Sequence, residues 1–238
     1  VGYPDLLLLQ LPENSPLRKP ISTIQESGNK AAAIVRDLLT LAKRGVATYE
    51  VLNLNDIVSE YLKSPEYEKL KLSHPDIEVN ASLDAGLLNI SGSPIHILNT
   101  LMNLVLNSAE AISEKGKIFI ETKNQYIDRP ITGYEKIDEG DYVTLSVSDT
   151  GSGIHSMDIG RIFEPFYTKK KMGKSGTGLG MTVVWGTVKD HKGYIDVKST
   201  EGKGSIFTLY FPITRHEKAE GQVNLPVDAY MSRGETIL

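Results

Sequence analysis

Apolar or small residues recur at Ile21, Ile24, Gly28, Ala31, Val35, Leu38 and Ala42 in alternating steps of three and four. That spacing keeps one seam on the side of a helix that faces another helix. The repeat stops at Lys43-Arg44-Gly45, a basic last turn followed by a glycine suited to the left-handed cap that ends helices. Ser15-Pro16 supplies a cap and a proline at the first helical position, where a missing N–H costs nothing, so the helix is predicted to start there. Two packings fit such a seam: an amphipathic helix lying on its own domain, or one member of a helical hairpin or dimer bundle. Gly28 costs up to about 1 kcal/mol relative to alanine, and close approach of another helix is the use it points to.

Beyond Gly45 the period changes, and a mixed domain is predicted from near Thr48. Val51 to Leu54 reads as a short strand, Asn55 to Leu62 as a helix and Ile77 to Leu83 as an alternating strand. Ser93-Pro94 opens a helix to about Ser113, followed by a strand from Lys117 to Lys123. The polar, proline-bearing stretch Asn124 to Gly140 reads as a surface insertion before a strand from Tyr142 to Ser148. A glycine-rich region then fills Asp149 to Gly180, a helix runs to about His191, and Tyr194 to Lys198 and Ser205 to Phe211 make a closing antiparallel pair. Strands and helices mix without strict βαβ alternation, which predicts an α+β fold with helices on one face of a mostly antiparallel sheet.

Composition narrows the ligands. A net charge of -4 argues against a nucleic-acid partner, which calls for a basic surplus on one face. The absence of cysteine removes disulfides and thiolate metal sites, and fits a reducing, cytoplasmic setting. No apolar run, Leu6 to Leu9 included, approaches the roughly 20 residues of a membrane helix.

Four clusters carry candidate chemistry. In Leu98-Asn-Thr-Leu-Met-Asn-Leu-Val-Leu-Asn-Ser-Ala-Glu-Ala111, the spacing of four places Asn99, Asn103 and Asn107 on one stripe of an otherwise apolar helix. Such a stripe either faces water or presents amide oxygens to a hard cation such as Mg²⁺. Asp149-Thr-Gly-Ser-Gly-Ile154 follows a strand directly: either a plain turn, or a loop whose glycines admit a ligand while Asp149 accepts from the exocyclic amine of adenine. Ile162-Phe-Glu-Pro-Phe-Tyr-Thr-Lys-Lys-Lys171 runs from an apolar anchor into three lysines, which by themselves read as a solvated loop. Ahead of Gly176-Thr-Gly-Leu-Gly180 and a helix, they read as a basic loop able to meet a polyphosphate.

In order and separation the four clusters resemble the N box, the first glycine box, the F box and the second glycine box of the histidine-kinase ATPase domain. The resemblance extends through Asp190-His-Lys-Gly-Tyr-Ile-Asp-Val-Lys-Ser199 and Glu201-Gly-Lys-Gly-Ser-Ile-Phe207 to Pro212. It implies the Bergerat-type two-layer α/β sandwich shared with gyrase, Hsp90 and MutL ATPases, ATP and Mg²⁺ as cofactors, and autokinase activity. Carried over by residue, Asn107 resembles the Mg²⁺ ligand and Asn103 the polar catalytic residue one turn before it. Asp149 resembles the adenine-contacting aspartate, with Gly151, Gly153 and Ile154 in its loop. Phe163, Gly176, Thr177, Gly178, Leu179 and Gly180 resemble the remainder of the ATP site, and Lys169 and Lys170 are placed towards the phosphates, Lys169 with a catalytic role.

The same resemblance makes residues 1–46 part of a dimerisation and phosphotransfer hairpin, with Tyr3 to Leu11 a remnant of its first helix, residues 47–214 the catalytic domain, and 215–238 a linker. It implies a homodimer and a response regulator or receiver domain as partner. None of His74, His96, His155, His191 and His216 lies in the family's phosphoacceptor motif. The chain opens at Val1 without methionine and closes on Thr236-Ile237-Leu238, which reads as a piece of a longer protein. Gly234-Glu-Thr-Ile-Leu238 resembles entry into a receiver domain. An ATP hydrolase of the same fold and a nucleotide-responsive dimerisation module without catalysis are the rival readings.

Overall fold

The computed structural model describes residues 2–42, 49–169 and 178–216. Two helices come first, α1 (Gly2–Gln10) and α2 (Arg18–Ala42). The assigned helix starts three residues after Ser15, because Pro16 and Leu17 sit in a turn closed by the Arg18 N–H on the Ser15 carbonyl (3.2 Å). α1 folds back on α2, held by the Arg18 guanidinium donating to the carbonyls of Leu8 (2.8 Å) and Leu11 (2.7 Å), groups that a helix C-terminus leaves open. Ile24 and Val35 of the seam stay 63% and 54% exposed, so α1 leaves apolar seam uncovered. The expected basic end at Lys43-Arg44-Gly45 lies outside the described residues.

The mixed layer follows as β1 (Glu50–Leu52), α3 (Leu54–Tyr61), α4 (Pro65–Ser73), β2 (Ile77–Leu83), β3 (Asn89–Gly92), α5 (Pro94–Ala111) and β4 (Gly116–Ile127). It continues through β5 (Ile131–Thr132), β6 (Lys136–Ile137), β7 (Gly140–Asp149), α6 (Ser156–Ile159), α7 (Gly180–Asp190), β8 (Tyr194–Thr200) and β9 (Gly204–Thr214). The main sheet runs β1-β3-β9-β7-β4-β2, with β8 also on β9. Among the described residues only β2 and β4 pair in parallel, so the sheet is mostly antiparallel, as expected. Alternation sorts its faces: Val143, Leu145 and Val147 of β7 and Phe207, Leu209 and Phe211 of β9 join Leu101, Leu104 and Val105 of α5 and Val184 and Val188 of α7 in one core. The opposite face carries a smaller cluster of Ile127, Ile137, Tyr142 and Tyr210. Ile137 there belongs to the stretch expected to be a surface insertion. Its first residues extend β4 instead, and the rest turns through a β5–β6 hairpin that packs against the sheet.

α4, β3, α6 and the hairpin are absent from the sequence reading. α4 has a clear start, with Pro65 at its head and Ser64 Oγ accepting the Tyr67 N–H (3.2 Å), but it buries only Leu70 and so shows little apolar period.

His191 joins the helices to the sheet. Its ring is 5% exposed, Nε2 accepts the Ser93 N–H (2.9 Å), and Nδ1 lies 2.6 Å from the Thr187 carbonyl, which puts the proton on Nδ1. Ser93 thus heads α5 without a side-chain cap bond; its backbone N–H is what is held. Burial above all pushes the His191 pKa below the usual value, aided by nearby His96 and opposed by the Thr187 bond and the Asp190 carboxylate. A proton on Nε2 would face the Ser93 N–H, donor against donor. The folded chain therefore binds that proton less readily than the unfolded one. The stabilisation is complete above about pH 6.5 and is lost as pH falls through the lowered native value. Urea unfolding should show up to about 1.4 kcal/mol of stability lost per pH unit in that window. A His191→Gln variant with the same slope would show that another group is responsible.

Candidate nucleotide site

α5 supplies the amide stripe. Its core side is Ile97, Leu101, Leu104 and the buried Ser108, and Asn99, Asn103 and Asn107 sit at the boundary, each half-buried. Asn103 faces the first turn of α7: a Cβ built on Gly180 would lie 3.1 Å from Asn103 Oδ1. The two helices therefore bring the first and fourth sequence clusters together.

Asp149 ends β7 beside Ser205 of β9 and Ile118 of β4. It is 8% exposed. Oδ1 accepts the Gly151 N–H (2.8 Å), and the Ser108 hydroxyl approaches Oδ2 at 3.4 Å. Burial raises the Asp149 pKa, against the lowering effect of the N–H groups of Gly151 and Ser205 and the Ser108 hydroxyl. The fold thus keeps a carboxylate buried on neutral donors, an arrangement that stability alone does not favour.

The loop after Asp149 is fastened on both sides. The Ser152 N–H reaches the Ala111 carbonyl at the end of α5 (2.9 Å), and the Ser152 carbonyl accepts the Gly202 N–H (2.7 Å). The Ile154 N–H donates to Ser199 Oγ (2.8 Å). Gly153 has φ 67°, and a Cβ there would lie 2.1 Å from the Thr200 carbonyl oxygen, so only glycine fits.

Phe163 is 8% exposed and packs on Trp185 of α7 (centroids 5.2 Å apart), while its carbonyl accepts from Thr182 Oγ1 (3.1 Å). Leu179, at the head of α7, is 1% exposed. Both sequence-predicted residues lie in the packing beneath the site, where their apolar side chains are buried. Phe166 adopts a left-handed backbone (φ 63°) with its N–H on the Gly178 carbonyl (3.0 Å), which brings these two residues together. Gly178 shares the left-handed conformation (φ 69°). Lys169, placed towards phosphates by the sequence reading, pairs with Asp158 of α6, which Tyr167 also contacts through its hydroxyl (2.7 Å). That bond to Lys169 above all holds the Asp158 carboxyl below its ordinary value. Lys170, Gly176 and Thr177 lie outside the described residues.

Among the described residues no three His, Asp or Glu side chains cluster as a metal site. A divalent cation here would rest on an amide oxygen such as that of Asn107 and on oxygens brought by its ligand, as suits Mg²⁺ on a nucleotide. On the sheet face opposite α5, a groove of about 540 Å³ is lined by Phe119, Ile159, Lys198 and Ile206 and reaches Asp149 but no described residue of the other three clusters. Ser108, Ser199 and Ser205 are the site residues that sequence reasoning missed. Ser108 directly follows Asn107, and the other two become neighbours of the glycine loop only once β8 and β9 pair.

A mixed, mostly antiparallel sheet backed by helices, with a buried aspartate, a half-buried asparagine stripe and a glycine-started helix at one end, is the architecture of the family described as histidine kinase-, DNA gyrase B-, and HSP90-like ATPases. The model of that family matches residues 92–215, more than half of the chain, and the chain belongs to it. Over 90% of its length it is 34% identical to the sensor kinase CckA of Brucella abortus (strain 2308), and it spans 22% of that protein. The nucleotide-free catalytic domain of histidine kinase ThkA is 27% identical and superposes with a TM-score of 0.56, covering 70% of this chain and 97% of that one. A structure of ThkA in complex with the response regulator protein TrrA shares the fold at a TM-score of 0.62 and 23% identity, over 88% of this chain and 55% of that one. No helix among the described residues is long and apolar enough to cross a membrane.

Proposed function

We propose that this chain is the ATP-binding catalytic part of a sensor histidine kinase, which transfers the γ-phosphoryl group of ATP to a histidine on a dimerisation helix for relay to a response regulator or receiver domain. The observation that carries this reading is the meeting of buried Asp149, the asparagine stripe of α5 and the first turn of α7 at one end of the sheet. Asp149 keeps acceptor capacity for the exocyclic amine of adenine, with Gly151, Gly153 and Ile154 shaping the loop around it. Asn107 would hold Mg²⁺, which would neutralise charge on the phosphate oxygens. The N–H groups at Gly178, Leu179 and Gly180 head α7 and meet the phosphates, with Asn103 alongside. Gly176, Thr177 and Lys170 complete the phosphate end in this reading. Lys169 joins them only by leaving Asp158. Attack by the lone pair of a neutral imidazole breaks the bond between the γ-phosphorus and the bridging oxygen and releases ADP, so the protein's work is positioning and charge neutralisation.

The five histidines of the chain hold other posts. His74 ends α4, His96 lies within α5, His155 caps α6, His191 is buried and His216 follows β9. The phosphoacceptor in this reading precedes residue 1, residues 1–46 belong to a dimerising hairpin, 47–214 form the catalytic domain and 215–238 are a linker. The exposed Ile24 and Val35 fit a seam closed by a second copy. With Mg²⁺-ATP the chain alone should acquire no acid-labile label. A longer version carrying the upstream helix should form phosphohistidine, and Asn107→Ala should abolish it. Firm ATP binding with no phosphohistidine in that version would favour a dimerisation module, and rapid phosphate release would favour a hydrolase.

A further inference from the structure

The hairpin between β4 and β7 has no part in the site as described so far. Among the described residues β8 pairs on one side only, with β9, and such an edge leaves backbone N–H and C=O groups open to another chain. The hairpin crosses this edge. The Tyr134 N–H donates to Asp196 Oδ1 of β8 (3.0 Å), the Ile195 N–H of β8 donates to Glu135 Oε1, and Glu135 pairs with Lys189 of α7. Gly133 shows how tight the crossing is, since a Cβ there would lie 2.2 Å from Asp196 Oδ1. Covering an edge needs only these polar contacts. It does not need an aromatic ring reaching past the strand, yet the Tyr134 ring meets Phe163 edge-on (5.1 Å, 72°) and Trp185 likewise (6.0 Å, 76°). Phe163 in turn is bonded through its carbonyl to Thr182, two residues into α7 from Gly180. A continuous packed path thus leads from the edge strand to the helix turn that faces Asn103.

We propose that the hairpin is a strap and that Tyr134 is a positioning residue for the nucleotide site. Through Phe163 and Trp185 it fixes the first turn of α7 and thereby sets affinity for the phosphate end of the nucleotide. The base end is built from Asp149, Gly151 and Ser108, none of which shares a hydrogen bond or ring contact with the strap among the described residues. The inference rests on the ATP site proposed above.

Three variants test it: Tyr134→Leu removes the ring, Asp196→Ala releases the strap without altering a residue of the aromatic cluster, and Tyr134→Phe keeps the packing. Calorimetry with Mg²⁺-ATP and with adenosine reads the two ends of the site, and emission of Trp185, the single tryptophan of the chain, reads the cluster. Tyr134→Leu and Asp196→Ala should weaken ATP about 5- to 30-fold, the scale of one or two lost aromatic contacts, with adenosine changed less than about twofold and Trp185 emission shifted to the red. Tyr134→Phe should match the wild type. Equal loss for adenosine and ATP, or unchanged ATP affinity in folded Tyr134→Leu, would overturn the proposal. If Tyr134→Leu does not fold, Asp196→Ala decides, and failure of both to fold makes the strap purely structural and overturns it as well. A wild-type chain that binds no ATP would overturn the site reading and the strap with it, whereas Asp149-dependent binding that is indifferent to the strap would overturn the strap alone.

Discussion

Asp149→Asn is expected to weaken ATP binding about 10- to 150-fold, the equivalent of one charge-assisted hydrogen bond of about 1.5–3 kcal/mol, while leaving the unliganded chain at least as stable as the wild type. The first part follows from the acceptor that the carboxylate offers to an exocyclic amine, to which asparagine can turn its own N–H₂ group. The second follows from burial. Asp149 is nearly enclosed, and burial pushes its pKa up despite donors from Gly151, Ser205 and Ser108. A carboxyl group whose native pKa is raised stabilises the fold in its protonated form, and that contribution disappears as pH rises through the raised value. At neutral pH the charge is thus a cost that asparagine removes. Its Oδ1 still accepts the Gly151 N–H, and the Ser108 hydroxyl can rotate to accept from Nδ2. Calorimetry and thermal unfolding on one preparation check both halves. Unchanged affinity removes Asp149 from the site, and a large drop in midpoint makes it a structural residue.

Such a trade marks the part of the site that is legible in sequence. A carboxylate directly after an alternating strand and before two glycines is a local pattern, as is the Ser93-Pro94 start of α5 with its asparagines four apart. Both stand in the fold where the pattern predicts. What the pattern misses is set by contacts between distant residues. Tyr134 lies about thirty positions before Phe163 in a stretch whose polarity reads as surface, and only the route of the chain across β8 turns its ring inward. The same holds for Lys169, whose carboxylate partner sits on α6, a four-residue helix too short to show a period. Phe163 and Leu179 carry the right chemistry for a site margin but are buried, because holding a segment in place and lining a site both call for apolar side chains.

ATP turnover by this chain should stay close to background even where binding is firm, and Asn103 is the reason. In gyrase-like and MutL-like members of the fold, the resemblance places a water-activating glutamate one turn before the metal asparagine. Here that position is an amide whose oxygen lies against the Gly180 turn. Asparagine can orient a water but cannot take its proton near neutral pH, so general-base assistance of about 10²–10⁴-fold is missing from that position. An incoming imidazole brings its own lone pair and needs no such help, so the proposed phosphoryl transfer to histidine does not depend on a base at that position. Glu110 is the nearest carboxylate along α5 and returns to the Asn103 face of the helix. It does so seven residues on, about 10 Å further along the axis, too far to act on a water placed beside Asn103. Phosphate release followed in a coupled assay should therefore be slow and indifferent to Glu110→Gln. Rapid release abolished by that substitution would make Glu110 the base, and rapid release surviving it would place a base elsewhere; either result would move the chain from the kinase to the hydrolase side of its family.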